Sequence, residues 1–400
     1  MELLRIHVVW AKRSEEMQPP LQPAPGSTPS QPRSVNYADR ISRHFDGIGM
    51  ERDGVAHRVP VRYWSEPWNE GSPLPRQIDF DRAHYNVVIV LYDGVMAAAK
   101  VKPLWEQYVN EIHAKIASRG KRDLYMVFGD PSGNVGLAPD LQMNIQYARR
   151  DLWKTKISIS GLETHMLLHV VFTIRDHLKK ALDLPEEEDL FVSHAKLDGD
   201  ETTSAIVNYV NSLNNDVPLR TFYDAKALSP GDNFANEFGN AIRKGTLLAI
   251  VSDTYDSRLW CVHELTEAKR ARRPIVLADI GKVRISRTYP YGANVPRVRV
   301  NPLDSETAWI EALLVECLSE GLRCDLFKLE VASRLGTTDE RVMILPRPPE
   351  LFDIIDAPSR PETIIYPDPP LPAIEATLIA KCLGLGSTST ATIKTLSEIS

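Results

Sequence analysis

Residues 246–270 read Thr-Leu-Leu-Ala-Ile-Val-Ser-Asp-Thr-Tyr-Asp-Ser-Arg-Leu-Trp-Cys-Val-His-Glu-Leu-Thr-Glu-Ala-Lys-Arg, and this stretch decides the fold. Leu247 to Val251 is apolar at every position, which suits a parallel strand buried on both faces. Ser252 to Asp256 breaks the run, and Ser257 stands where a helix N-cap is expected. From Arg258 the period turns helical, with Trp260, Cys261, Leu265 and Ala268 returning at helical spacing. Glu264 falls four residues after Trp260, so the two side chains share one face, and that face is the apolar one. A carboxylate there, just beyond the carboxyl end of a parallel strand, stands where open α/β sheets bind ligands. The same residues also fit a core aromatic and a flank acid whose tip reaches water.

The flanking residues repeat the alternation. Asp189–Ser193 and Leu219–Tyr223 read as strands, and Ser204–Leu213 as a helix. Ala225–Asn233 is a loop containing Pro230 and Gly231, and Phe234–Arg243 is a helix leading into the buried strand. Downstream, Pro274–Ala278 and Pro296–Val300 are strands and Ala308–Leu335 a long amphipathic helix. The first half has the same order: strands at residues 5–11, Val59–Trp64, Asn86–Tyr92 and Leu124–Phe128, and helices at Tyr37–Phe45, Leu104–Ser118 and Thr164–Leu182. Asp79–His84 is expected to be the end of a helix, and Met17–Arg33, rich in Pro, Gln and Ser, a loop.

The expected fold class is therefore α/β: two flavodoxin-like parallel-sheet units in tandem, by internal duplication, then a Pro-rich C-terminal segment. The expected boundaries are residues 1–185, 186–336 and 337–400, the first marked by the polar run Pro185-Glu-Glu-Glu-Asp189. In the last segment, prolines from Pro346 to Pro372 forbid a long helix. A short helix is expected at Ile374–Leu383. The stretch Gly386–Thr392 looks too polar to build a core, so the segment reads as a linker or the start of a further module.

Composition narrows the function classes. With 43% apolar and 25% charged residues the chain is ordinary for a globular protein. A net charge of −6 argues against a dedicated nucleic-acid binder. No apolar run is long enough to span a bilayer, and the N-terminus reads as a strand rather than a signal peptide. Cys261, Cys317, Cys324 and Cys382 form no Cys-x-x-Cys pair and no metal-ligand spacing with histidine, so no metal is expected and a reducing, cytoplasmic setting is the simplest inference. The Gly-rich fingerprint of dinucleotide-binding dehydrogenases and a phosphate-cradling Gly-Lys-Ser/Thr loop are both missing, against a redox enzyme or an ATPase.

Four blocks within residues 187–335 resemble the bacterial branch of the TIR (Toll/interleukin-1 receptor) domain family. They are Leu190-Phe-Val-Ser-His-Ala-Lys-Leu-Asp198; Arg220-Thr-Phe-Tyr-Asp-Ala-Lys-Ala-Leu-Ser-Pro-Gly-Asp-Asn-Phe234; Glu237 to Ile242; and the stretch holding Ser252, Tyr255, Ser257, Trp260, Cys261 and Glu264. The resemblance implies cleavage of NAD⁺, as substrate and with no cofactor, at the nicotinamide–ribose bond. It implies that Glu264 is the essential residue of a Trp-x-x-x-Glu motif. The chemistry is coherent: the transition state is oxocarbenium-like, and nicotinamide leaves a cation as a neutral molecule, so one carboxylate suffices without a general acid.

Ser193, His194, Tyr223, Ser252 and Trp260 are the expected substrate-binding residues. Ser193 equally fits a cap on the strand–loop turn, and no acidic partner for His194 is evident in the sequence. Lys226 fits a solvated loop residue better than a phosphate contact. The loop with Asp224, Leu228, Gly231 and Phe234 is the expected assembly surface, because apolar loop side chains lack a core of their own. The resemblance further implies self-association and a role in prokaryotic anti-phage immunity; a non-enzymatic TIR scaffold is the alternative. In the first half Val109 occupies the position four residues after Trp105, so that half is expected to be a degenerate, catalytically silent unit serving as a sensing or assembly surface or as a spacer.

Overall fold

The computed structural model describes residues 2–12, 32–47, 59–69, 71–129, 148–153, 156–182, 189–213, 220–222, 245–282, 292–302, 307–336, 341–350, 353, 361–382 and 392–399. They divide into two compact units, one up to residue 184 and one from residue 185. In the first, strands β1 (Glu2–Val9), β2 (Val61–Trp64), β3 (Ala83–Tyr92), β4 (Leu124–Gly129) and β5 (Ala148–Arg149) form a parallel sheet in the order β2-β1-β3-β4-β5. Helices α1 (Ser34–Gly47), α2 (Lys102–Ser118) and α3 (Leu162–Ala181) accompany it. β3 is central, and Val88, Ile89, Val90 and Leu91 are wholly buried, which is why its sequence is apolar without alternation.

The expected helix end at Asp79–His84 is not formed. Asp79 accepts from the Asp81 amide and pairs with Arg82, closing one 3-10 turn at Phe80–Arg82, and β3 starts at Ala83. With its polar groups satisfied locally and Phe80 buried, this segment has no need of a longer helix.

The second unit repeats the topology. β6 (Asp189–His194), β7 (Arg220–Phe222), β8 (Thr246–Val251), β9 (Ile275–Asp279) and β10 (Arg297–Arg299) are parallel in the order β10-β9-β8-β6-β7. Read from the first strand of each unit, both sheets have the flavodoxin-like order 2-1-3-4-5. Helices α4 (Asp200–Ser212), α5 (Leu259–Arg270) and α6 (Ala308–Leu335) follow. α6 ends where Gly336 adopts φ +70° and its amide returns to the Ala332 carbonyl, a left-handed cap that favours glycine. The expected loop Ala225–Asn233 and helix Phe234–Arg243 lie outside the described residues.

The Pro-rich segment builds a core of its own. β11 (Val342–Ile344), β12 (Thr363–Tyr366) and β13 (Thr392–Thr395) form a third parallel sheet in that order, with α7 (Ala373–Cys382) before β13. Its buried Ile365 and Leu396 pack with Phe327 and Val331 of α6, while Met343, Leu345, Ile364 and Tyr366 form a second cluster. The prolines sit in the connections (Pro346, Pro367, Pro369) and leave the strand ladders intact. The expected short helix at Ile374–Leu383 is α7. No helix among the described residues is long and apolar enough to cross a membrane.

Candidate functional site

In a sheet of this order the chain reverses between its first and third strands, here β6 and β8, and the crevice opens beyond their carboxyl ends. Two loops frame it, residues 195–199 after β6 and 252–258 after β8. Asp198 stitches them together. Its Oδ1 accepts from Ser252 Oγ and Thr254 Oγ1, each at 2.6 Å, and its Oδ2 from the Thr254 amide at 3.0 Å. Partial burial pushes the Asp198 carboxyl up, but these hydrogen bonds outweigh it and hold the group below its ordinary value. Gly199 closes the first loop against the strand: a Cβ there would meet the Ala195 carbonyl at 3.0 Å and His194 Cβ at 3.1 Å.

Beneath the crevice lies a buried polar chain. Ser193 Oγ and Tyr255 Oη are 2.8 Å apart, Tyr255 donates to the Cys261 carbonyl at 3.4 Å, and the Cys261 thiol donates to the His194 carbonyl at 3.4 Å. These bonds lock the start of α5 to the end of β6. Burial, and then the nearby Glu264 charge, push the Cys261 thiol up to about 12, so it stays protonated and is no nucleophile.

Glu264 is only 4% exposed, on the inward face of α5 with Cys261, Leu265 and Ala268. Trp260 is 41% exposed, so it does not share the apolar face as the spacing suggested, and it is not a core aromatic. It lies in the first turn of α5, where helical side chains lean toward the N-terminus, and its ring tilts against His263 at 5.3 Å. Leu259 beside it is 87% exposed, and Leu197 in the facing loop 70%. These three side chains are apolar and exposed, whereas the Glu264 carboxylate is buried.

Ser257 does not cap α5. It belongs to the 3-10 turn Tyr255–Ser257, and its hydroxyl donates back to the Thr254 carbonyl at 2.7 Å; Arg258 holds the N-cap position without a side-chain cap. His194 has an acid partner that the sequence did not suggest: Nε2 lies 3.4 Å from Asp200 Oδ1, in the first turn of α4. Acidic residues that favour a helix N-terminus were the available signal. Ser252 follows β8 with its hydroxyl engaged by Asp198, and Ser193 is buried near the end of β6 with its hydroxyl engaged by Tyr255. Tyr223, Asp224, Lys226, Leu228, Gly231 and Phe234 lie outside the described residues. No cluster of His, Cys, Asp and Glu able to hold a metal occurs among the described residues.

The far end of α5 is anchored as well. Lys269, its side chain 2% exposed, donates to Glu350 Oε1 at 2.7 Å and to the Ala293 carbonyl at 2.9 Å, and Arg347 donates to the Lys269 carbonyl at 2.8 Å. The C-terminal segment therefore holds the helix that carries Glu264.

These features define a flavodoxin-like parallel unit with a buried carboxylate at its ligand edge. The family model for the TIR domain matches residues 189–274, from β6 to the entry of β9. Among solved structures the chain is similar to the TIR domains of the activated Roq1 resistosome directly recognizing the pathogen effector XopQ, at 24% identity and a TM-score of 0.21. That similarity covers 24% of this chain and 59% of the other. No curated protein matches the chain.

Proposed function

We propose that the TIR-matched unit is an NAD⁺ glycohydrolase acting at the nicotinamide–ribose bond. The observation that carries this reading is Glu264, a carboxylate 4% exposed on the inward face of the helix that follows the central strand. In the reaction the C1′–N bond breaks heterolytically and its electron pair goes to the ring nitrogen, so nicotinamide departs neutral. Glu264 stabilises the oxocarbenium-like cation left on the ribose, and water adds to C1′ and releases a proton. Trp260 offers an exposed face for stacking an aromatic ring of the substrate. No general acid is called for, and Cys261 stays out of the chemistry.

The same reading includes control by self-association. Leu197, Leu259 and Trp260 are large apolar side chains exposed around one crevice, a natural surface for another copy of the chain. We propose a role in prokaryotic, anti-phage immunity within the cytoplasm, with NAD⁺ as substrate, no cofactor and no direct nucleic-acid contact. The test is incubation of the purified chain with NAD⁺ at several protein concentrations, following nicotinamide by chromatography. Release that depends on Glu264 supports the enzyme; none at any concentration, in protein shown to be folded, leaves the scaffold.

A further inference from the structure

Arg150 is a buried guanidinium with no counter-ion among the described residues. It directly follows β5 at the edge of the first sheet, is 2% exposed, and reaches back across β4 to the central strand. There Nη2 donates to the Tyr92 carbonyl at 3.0 Å, and Cζ lies 5.0 Å from the centre of the Tyr37 ring in the first turn of α1. Nε meets no acceptor, and no described carboxylate pairs with the group. The neighbouring acid, Asp93, is already occupied by Ser34 Oγ at 2.7 Å and by the amides of Val95 and Met96 at 2.9 and 3.4 Å. A cation–π contact offsets only part of the cost of burying a cation.

A second buried donor lies on the same side of the sheet. Trp10 directly follows β1, is 3% exposed, and its Nε1 has no acceptor. Val9 pairs with Val90, so Trp10 comes level with Leu91 and shares the face of Val8 and Tyr63. Tyr63 in turn packs edge-on against Trp10 at 4.9 Å and donates to the Ala38 carbonyl of α1. Trp10 and Arg150 therefore both lie on the α1 side, at the carboxyl ends of β1 and β3, which is the first unit's own switch point. Tyr92 Oη also lacks an acceptor, but the pleat puts it on the opposite face. Unmet groups that are all donors ask for a ligand rich in acceptors. With a cation at the centre and aromatic rings beside it, that ligand is anionic and carries a flat ring.

We propose that the switch point of the first unit binds a nucleotide, with Arg150 on its phosphate and Trp10 and Tyr37 beside it. The position of Glu264 is taken here by Val109, so the ligand is bound and not cleaved. The first unit is then a sensor.

The experiment is titration calorimetry of the full chain with ADP, pyrophosphate and adenosine. ADP is expected to bind saturably, pyrophosphate more weakly and adenosine not at all. Arg150→Lys keeps the charge but loses the planar fork, and is expected to weaken ADP binding about tenfold or more. Trp10→Phe keeps the ring and removes only the N–H, and is expected to weaken it severalfold, so the idea stays testable if the Arg150 variant does not fold. Trp260→Ala, in the second unit, is expected to leave the Arg150-dependent component of ADP binding intact. The proposal fails if neither ADP nor pyrophosphate binds up to roughly 1 mM. It fails equally if adenosine binds as well as ADP, if folded Arg150→Lys and Trp10→Phe bind like the parent, or if binding is lost in Trp260→Ala. Nicotinamide release is read separately, so failure here and failure of the glycohydrolase reading remain distinct.

Discussion

Each unit closes its crevice with an acid–hydroxyl pair, and the two pairs are wired in opposite directions. In the second unit the residue just after the central strand, Ser252, is the donor, and the acid is Asp198 in the loop after the first strand. In the first, the residue just after the central strand is the acid, Asp93, and the donor is Ser34, where the connection from the first strand enters its helix. Bridging the two loops thus belongs to the fold, since either polarity satisfies it. The helix beyond tells a different story. In the first unit Trp105 and Val109 are 1% and 0% exposed, so both are core; in the second Trp260 is exposed and a carboxylate takes the buried position. A buried acid adds nothing to stability that valine does not supply at lower cost, and this points to chemistry at Glu264.

The largest expected effect tests that contrast from both sides. Glu264→Gln should fold normally and lose nicotinamide release by about 10²–10³-fold, as loss of a main electrostatic stabiliser does. Substantial turnover by the folded variant would overturn the mechanism. The reciprocal Val109→Glu should create no activity and should destabilise the chain by about 3 kcal/mol or more, because it buries an unpaired carboxylate. A Val109→Glu protein melting with the parent would mean that the first unit already accommodates charge there.

How much of this was legible in the sequence depends on the range of the interactions. β8 was readable because all its positions are buried, which leaves an unbroken apolar run. The spacing of Trp260 and Glu264 was readable too, but not that one side chain is exposed while the other is buried. The Asp198–Ser252 bond spans 54 residues and leaves no periodic trace. Ser257 misled because a 3-10 turn intervenes before α5, and its hydroxyl serves that turn. The third sheet was hidden because strands such as Val342–Ile344 are too short to alternate, and its core is completed by Phe327 and Val331 of a helix outside the segment.

The next effect separates the units by pH. His7 is wholly buried, takes the Trp64 indole N–H on Nδ1 at 3.0 Å, and contacts Asn86 Oδ1 through Nε2 at 3.1 Å, an arrangement that fits a neutral ring. Burial, the main cause, drives it down to about 4, and drives His169 to about 3 with help from His165. Below the unfolded value of 6.5 the unfolded chain binds protons that the folded one refuses, so stability is level above that pH and falls as pH drops toward 4. From pH 6.5 to 5 the loss should be on the order of 1–2 kcal/mol per histidine. Hydrogen exchange should show it in the first unit. A His7 ring that titrates near 6.5 by NMR would remove the argument.

The two stitches offer a smaller test. Asp198→Asn should cost about 1–2 kcal/mol and lower nicotinamide release, because the hydroxyls of Ser252 and Thr254 lose a charged acceptor at the second unit's crevice. Asp93→Asn should cost a similar amount of stability and leave nicotinamide release unchanged. Equal loss of activity in both variants would mean that the stitches serve stability alone.

The smallest expected effect on folding carries the most information about assembly. Leu197 and Leu259 flank the second crevice at 70% and 87% exposure, so each already spends its apolar surface on water. Replacing both with Asp should move stability by no more than about 0.5 kcal/mol, as surface changes usually do. Leu104 of the first unit, 42% exposed in the first turn of α2, is the matched control. If copies of the chain meet over the second crevice, specific activity of the parent and of Leu104→Asp should climb with protein concentration. That of the Leu197→Asp, Leu259→Asp protein should stay flat, since two carboxylates on the rim oppose apolar docking. A double variant whose activity climbs like the parent's would put the association surface elsewhere.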